Sequence, residues 1–294
     1  MLIHKKAKET MAGSTMNEFK SGRSLLSAIA IMIAALFAVS GPIFAQEGTQ
    51  MSDPKPTIVL VHGAFADSGS WSKITQILLD DGYPVFAASN PLRGVKSDAE
   101  YVGTLLNSIK GPIVLVGHSY GGMVISNVPI GNSDVEALVY VDAFAPKAGE
   151  DAFKLSMIYP GSTLGPAILP VPLPDGVTDL YVQQDKYLTQ FAQDVPKADA
   201  QWMAATQRPV TDAALNEASG EPNWKNIPSW FIYGDADLII PPALHAFMAE
   251  RAGSRETVVI AGASHVPMIS HPDEVANFIV KVATTMTAEA ATAG

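Results

Sequence analysis

The sequence predicts an α/β protein: a mostly parallel sheet of about six strands, helices on both faces, and an inserted, mainly helical cap. Three observations carry that expectation. Short runs of β-forming apolar residues alternate with segments of helical periodicity, which implies right-handed crossovers and a sheet covered on both sides. One run, Ile113-Val-Leu-Val116, leads straight into Gly117-His-Ser-Tyr-Gly121 and the helical Met123 to Val128, so that a very tight turn joins a strand to a helix. A single proline-rich interval, Pro146 to Pro228, breaks the rhythm and is too long to be a loop in a compact domain.

The elements follow in chain order. Thr57-Ile-Val-Leu-Val61 is too apolar for a strand buried on one face only. Trp71, Ile74, Ile77 and Leu78 then recur at helical spacing up to Gly82, and Val85 to Ala88 is the second strand. Ser97-Asp-Ala-Glu100 resembles a capping box opening the helix that carries Tyr101, Val102, Leu105, Leu106 and Ile109. Beyond the elbow strand, Ala137–Val141, Trp230–Tyr233 and Thr257–Ile260 supply three more strands, with helices at about Pro242–Arg251 and Pro272–Thr284. The core is thus expected at 57–145 and 229–287, with the cap at 146–228 over the carboxyl ends of the strands, where open α/β sheets bind ligands. Within the cap, helical material is expected around Asp179–Gln193 and Asp199–Gln207, and residues 288–294 read as a disordered tail.

The N-terminus has its own composition. Lys5, Lys6, Lys8, Lys20 and Arg23 precede the apolar Leu25–Val39, followed by Ser40-Gly-Pro42, so residues 1–45 read as a secretory signal peptide cleaved near Ala45, and 46–56 as a linker. The expected location is therefore exported, periplasmic or secreted, without stable membrane association once processed. Removing that segment takes the net charge from −10 to about −13. Such an acidic chain, with no basic patch, argues against a nucleic-acid partner. With no cysteine there is neither a disulfide nor a thiolate nucleophile.

Chemistry concentrates at the tight turn. A serine at the apex of G-x-S-x-G is held in a strained conformation that lifts its hydroxyl clear of the sheet, which makes Ser119 the candidate nucleophile. His62-Gly-Ala-Phe65 after the first strand, Trp71, Gly117-His-Ser-Tyr-Gly-Gly122, Gly234-Asp-Ala-Asp237 with Pro241, and Ser264-His265 before the last helix together resemble the α/β-hydrolase superfamily. Within it the chain is most similar to the small branch of plant methylesterases and hydroxynitrile lyases and to secreted bacterial esterase-like hydrolases. The resemblance spans Thr57 to about Ala283.

That resemblance implies roles for individual residues. The superfamily order of serine, acid and histidine makes His265 the base and Asp237 the orienting acid, with Asp235 and Asp142 as competing carboxylates. Asp142 has the bland alternative of binding backbone amides of the Phe144–Pro146 turn. His62, His118, His245 and His271 read as packing or surface histidines, His118 with its side chain turned away. The oxyanion donors are the N–H groups of Tyr120 and Ala64, with Phe65 as the alternative to Ala64.

Hydroxynitrile lyases of this branch carry a lysine directly after the catalytic histidine and a threonine at the position of Gly63, whereas this chain has Val266 and Gly63. Ester hydrolysis is therefore favoured over cyanohydrin cleavage, and a non-catalytic ligand-binding protein is the remaining alternative. No metal-ligand spacing, phosphate loop or dinucleotide fingerprint is present, so no cofactor is expected. Phe65 and Trp202 are candidate substrate-binding residues, the latter among cap residues of which most should bury against the core and the rest should line an apolar pocket over Ser119. The expected partner is a small to medium neutral carboxylic ester.

Overall fold

A computed structural model describes residues 55–131 and 133–293; the expected signal peptide and the part of the expected linker up to residue 54 lie outside the described residues. The strands are β1 (Thr57–Val61), β2 (Val85–Ala88), β3 (Pro112–His118), β4 (Asp134–Val141), β5 (Ile168–Pro172), β6 (Thr178–Val182), β7 (Val210–Thr211), β8 (Ser229–Gly234) and β9 (Thr257–Ile260). The helices are α1 (Ser72–Asp80), α2 (Val95–Leu106), α3 (Gly121–Asn127), α4 (Ala152–Ser156), α5 (Leu164–Ala167), α6 (Gln184–Gln190), α7 (Lys197–Thr206), α8 (Asp212–Asn216), α9 (Pro242–Arg251), α10 (Pro267–Ser270) and α11 (Pro272–Ala293).

Six strands form one sheet in the order β2-β1-β3-β4-β8-β9, every pair parallel. The chain steps from β1 to β2 in one direction and returns past β1 to β3. With right-handed crossovers this puts α1 and α2 on opposite faces. Accordingly α1 packs on α11 and α2 on α3. Both faces of β1 and β3 are covered, which is why β1 is buried at every position and reads as an unbroken apolar run. The direction of winding reverses between β1 and β3, so the loops leaving their carboxyl ends diverge and leave a crevice. Those loops carry Ala64 and Ser119.

The insertion between β4 and β8 is not only helical: β5, β6 and β7 form a second, antiparallel sheet. Residues from Asp179 to Val182, expected as helix, are strand, because Leu180, Tyr181 and Val182 pair with the β5 segment in a hairpin. The signal for it was Pro174-Asp-Gly176, a turn sequence in which Gly176 takes φ +85° and the Asp175 carboxylate accepts from Val177 N. Pro170 and Pro172 are tolerated because β5 is an edge strand.

Two further boundaries differ from the sequence reading. Helix α2 opens at Val95, two residues before the expected capping box, because Asp98 turns back and accepts from the backbone N–H groups of Arg93 and Gly94. The last helix continues to Ala293, so residues 288–293 are helical rather than a disordered tail. Alanine-rich sequence with no internal Gly or Pro favours that continuation, and Arg255 pairs with Glu289 at 2.7 Å. No helix among the described residues is long and apolar enough to cross a membrane.

Candidate active site

The β3–α3 turn places Ser119 at φ +52°, a conformation that L-residues avoid and that a packed surrounding must impose. The crossing is tight enough that a Cβ on Gly121 would overlap the Val61 carbonyl. Ser119 is buried. Its Oγ lies 2.8 Å from His265 Nε2, and His265 Nδ1 lies 2.8 Å from Asp237 Oδ2. His265 comes from the loop between β9 and α10, and Asp237 from the loop after β8. The three residues named as nucleophile, base and acid are thus brought into one hydrogen-bonded line.

Neither competing carboxylate bonds His265. Asp235 Oδ1 accepts from Gly262 N at 2.6 Å and ties the β8 and β9 loops together. Asp142 does not serve the Phe144–Pro146 turn; at φ +41° it reaches sideways and accepts from Gly234 N at 3.0 Å. Asp237 is the most heavily held: Oδ1 accepts from Ile239 N and Ile240 N, while Oδ2 accepts from His265 and also from His245 Nε2 at 3.1 Å. Burial opposes its ionisation, but the imidazoles of His265 and His245 outweigh that and hold its carboxyl well below the usual range. Burial and the nearby Asp237 charge push Asp142 the other way, well above it.

The remaining histidines have defined posts. His118 is not turned away: its ring lies 4.9 Å from that of His265, and its Nε2 donates to the His265 carbonyl at 2.8 Å. Burial lowers its pKa to about 3, so it acts as a neutral strut. His62 accepts from Asn90 N through Nε2 and donates from Nδ1 to the Gly63 carbonyl, which fixes the loop after β1; burial lowers it to about 4. His245, expected to be a packing histidine of α9, is buried against Asp237. Its position among Leu244, Met248 and Ala249 on the covered face of that helix was the available sign. His271 pairs with Glu274 at 2.8 Å near the surface.

Where a negative oxygen would develop beside Ser119, the N–H groups of Ala64 and Tyr120 have no protein acceptor among the described residues, and neither has that of Phe65. Gly63 brings this loop so close that a Cβ there would fall 2.6 Å from Ser119 Cβ. Tyr120 is anchored from behind, its hydroxyl donating to the buried Asp98 at 3.0 Å, a partnership that nothing in the sequence indicated. Burial raises the Asp98 carboxyl above its ordinary range.

Over the site lie aromatic rings. Phe191 meets His265 edge-on at 5.0 Å and Phe65 at 6.0 Å, and the Tyr187 hydroxyl donates to the Phe65 carbonyl at 3.3 Å. The cavity in this region, about 240 Å³, lies outside that partition; Phe65, Tyr187, Trp202, Met203 and Ile269 line it, and Ser119 does not. Trp202 therefore stands in an outer vestibule, largely exposed, and not against the nucleophile. Asp142, Asp237 and His245 bring one potential ligand atom each within 4.8 Å of one another, yet four N–H donors already occupy the Asp237 oxygens, so this is a hydrogen-bonded cluster and not a metal cage.

The model of the alpha/beta hydrolase family matches residues 58–278. The chain belongs to that family. Among relatives of this alpha/beta hydrolase, norfluorocurarine synthase 2 of Strychnos sp is 25% identical over 249 residues, covering 76% of this chain and 94% of that protein. Alpha-hydroxynitrile lyase of Arabidopsis thaliana is 22% identical over 252 residues, covering 78% and 98%. Polyneuridine aldehyde esterase has the same fold, with a TM-score of 0.67 at 19% identity over 78% of this chain and 99% of that one. The expected six-stranded architecture and the resemblance to this branch hold.

Proposed function

We propose that this alpha/beta hydrolase is a carboxylesterase-type serine hydrolase that cleaves small to medium neutral carboxylic esters through an acyl-enzyme. The observation that carries the reading is His265, with Nε2 2.8 Å from Ser119 Oγ and Nδ1 2.8 Å from Asp237. In that arrangement the Ser119 O–H donates to His265 Nε2, and attack on the ester carbonyl transfers the proton to the imidazole as the Oγ–C bond forms. Asp237 accepts from Nδ1–H, which sets the tautomer and balances the imidazolium. The carbonyl oxygen, now negative, meets the N–H groups of Ala64 and Tyr120. Protonation of the leaving alkoxide by His265 frees the alcohol, and water repeats the sequence to release the acid.

Ester hydrolysis is supported over cyanohydrin cleavage by two positions. Gly63 approaches Ser119 too closely to accept a threonine, and Val266 is buried where the lyases carry an ammonium group. The vestibule is apolar at Phe65, Tyr187, Trp202, Met203 and Ile269, which suits neutral acyl or aromatic groups, and carries charges of both signs at Asp67, Lys73 and Asp199. The basic, apolar and helix-breaking succession in residues 1–45 supports export, which N-terminal sequencing of the protein recovered from a native host tests: a mature chain starting near Gln46 is expected, and one retaining Met1 or Met16 would refute it.

The deciding experiment pairs labelling with turnover. A fluorophosphonate should label the protein stoichiometrically, and Ser119→Ala should lose both the label and p-nitrophenyl acetate hydrolysis, the latter by about 10³-fold or more. Saturable ligand binding without turnover would favour a binding protein, and rapid cyanide release from mandelonitrile would favour the lyase.

A further inference from the structure

Two fully buried carboxylates, Asp142 and Asp237, share one site with His245. Like charges cannot both be held so close without water, so such a pair retains one proton between them. Which of the two carries it decides whether Asp237 can serve His265. An anionic Asp237 accepts from His265 Nδ1–H and stabilises the imidazolium, whereas a protonated one does neither.

The surroundings of the two are unequal. Asp142 has a single N–H partner, Gly234, and its Oδ2 has none among the described residues. Asp237 accepts four hydrogen bonds, one of them from His245 Nε2 at 3.1 Å. The same nitrogen is 3.9 Å from Asp142 Oδ1, so His245 stands between the two carboxylates and bonds only one of them. Its ring stacks on Tyr233 of β8 at 4.8 Å, which fixes its orientation. Its Nδ1 is buried and unpartnered, so the neutral Nε2–H tautomer is the one that leaves no charge uncompensated. Burial lowers the His245 pKa, in keeping with that tautomer. Asp194 adds a further negative charge near Asp142 from the cap side.

We propose that His245 is a positioning residue that assigns the shared proton, bonding Asp237 as the carboxylate that faces His265 and leaving Asp142 as the neutral acid. The proposal rests on the hydrolase reading for its kinetic consequence, but the assignment of the proton itself does not. Asp142 then fills the position beside Asp237 without contributing a second charge, and its proton remains in place through the catalytic cycle.

The test is a rescue. In His245→Leu the imbalance shrinks from four N–H donors against one to three against one, the proton is drawn part of the way onto Asp237, and kcat should fall about tenfold with KM little changed; complete neutralisation of the orienting carboxylate of a trypsin-type triad costs about 10⁴. His245→Gln, which keeps an N–H donor, should retain most of the activity. Adding Asp142→Asn to His245→Leu supplies a permanently neutral neighbour, leaves Asp237 as the one ionisable carboxyl of the pair, and should recover most of that loss in kcat. If His245 only filled space, the double variant would be as slow as His245→Leu or slower, and that result overturns the proposal. A measurement independent of turnover is the infrared difference spectrum of wild type minus Asp142→Asn at pH 7. It should contain the C=O stretch of a protonated carboxyl, and a spectrum containing only carboxylate bands overturns the proposal even if esterase activity proves absent.

Discussion

The two surfaces that meet over Ser119 are built to different tolerances. On the sheet side, the loops after β1 and β3 approach to the point where Gly63 has no room for a Cβ, and Ser119, Asp237 and His265 are all buried. On the cap side, Leu155, Tyr187 and Phe191 are buried and Tyr159, Leu164, Ile168 and Met203 pack partly buried against the core, as expected of most of the cap's apolar residues, but Met157, Ile158, Leu169 and Trp202 are about half exposed or more. The cap also contains none of the six histidines. In the proposed reaction, geometry would be set by backbone contacts in the sheet, whereas the cap would meet a substrate through partly exposed side chains. This separation is open to test.

The largest effect is expected at Gly63. Gly63→Thr inserts a Cβ 2.6 Å from that of Ser119, pushing the Ala64 N–H away from the developing oxyanion. Removal of one oxyanion donor costs about 10²–10³ in kcat, and a similar loss is expected here with KM less affected. Steady-state kinetics on p-nitrophenyl acetate measure it, and a fully active variant would mean that the loop adapts as readily as the cap.

The next effect is on stability in acid, and it should arise in the sheet half alone. Burial holds His62 at about 4 and His118 at about 3, below the ordinary value of 6.5. Between those limits the unfolded chain binds protons that the folded one refuses, so stability is unaffected above about pH 6.5 and is lost as the pH falls below it. The lowered His245 acts in the same direction and the raised Asp142 in the opposite one. For His62 and His118 alone, two protons refused over about 1.5 pH units amount to a loss on the order of 4 kcal/mol by pH 5. Urea unfolding at pH 7 and pH 5 checks this, and an unchanged midpoint would show that the buried histidines take up their protons in place.

Legibility in the sequence divides along the same line. The strands, the elbow and the residues meeting at Ser119 were readable because a parallel sheet buried on both faces writes continuous apolar runs, and its carboxyl ends position what comes next. The β5–β6 hairpin was missed because prolines and polar residues mask an edge strand, although Pro174-Asp-Gly176 marked the turn. Asp98, Asp142 and His245 were unreadable as partners for a different reason. Each is a lone polar residue whose counterpart lies on another element, Tyr120 or Asp237, and only the fold brings them together.

Tyr120→Phe examines the support behind the elbow. It removes the hydroxyl that donates to the buried Asp98, which keeps its bonds from Arg93 N and Gly94 N. Loss of a partner to a buried polar group costs about 1–3 kcal/mol, and the lower half of that range is expected because two donors remain. Turnover should fall only modestly, since the Tyr120 N–H itself is retained. A loss of kcat as large as that of Gly63→Thr would show that the phenol, and not the backbone crossing, holds the donor in place.

The smallest effect is expected in the cap, where Trp202→Ala removes a side chain that is 66% exposed and lines the outer vestibule. Substitutions at exposed positions usually change stability by no more than about 0.5 kcal/mol, so the unfolding midpoint should hardly move. What the indole offers is apolar area to a substrate's outer end. Apolar contacts in a pocket are worth about 1–3 kcal/mol when fully formed, and a half-open wall should yield the lower end, so KM for a long-chain or aromatic p-nitrophenyl ester should rise about two- to fivefold. The acetyl ester is too short to reach past Phe65 and Tyr187, and its kinetics should stay as they are. The ratio of the two substrates is therefore the sensitive measurement. A parallel loss on both would mean that Trp202 governs the aromatic partition over His265, and the cap would then share with the sheet in setting the reaction geometry.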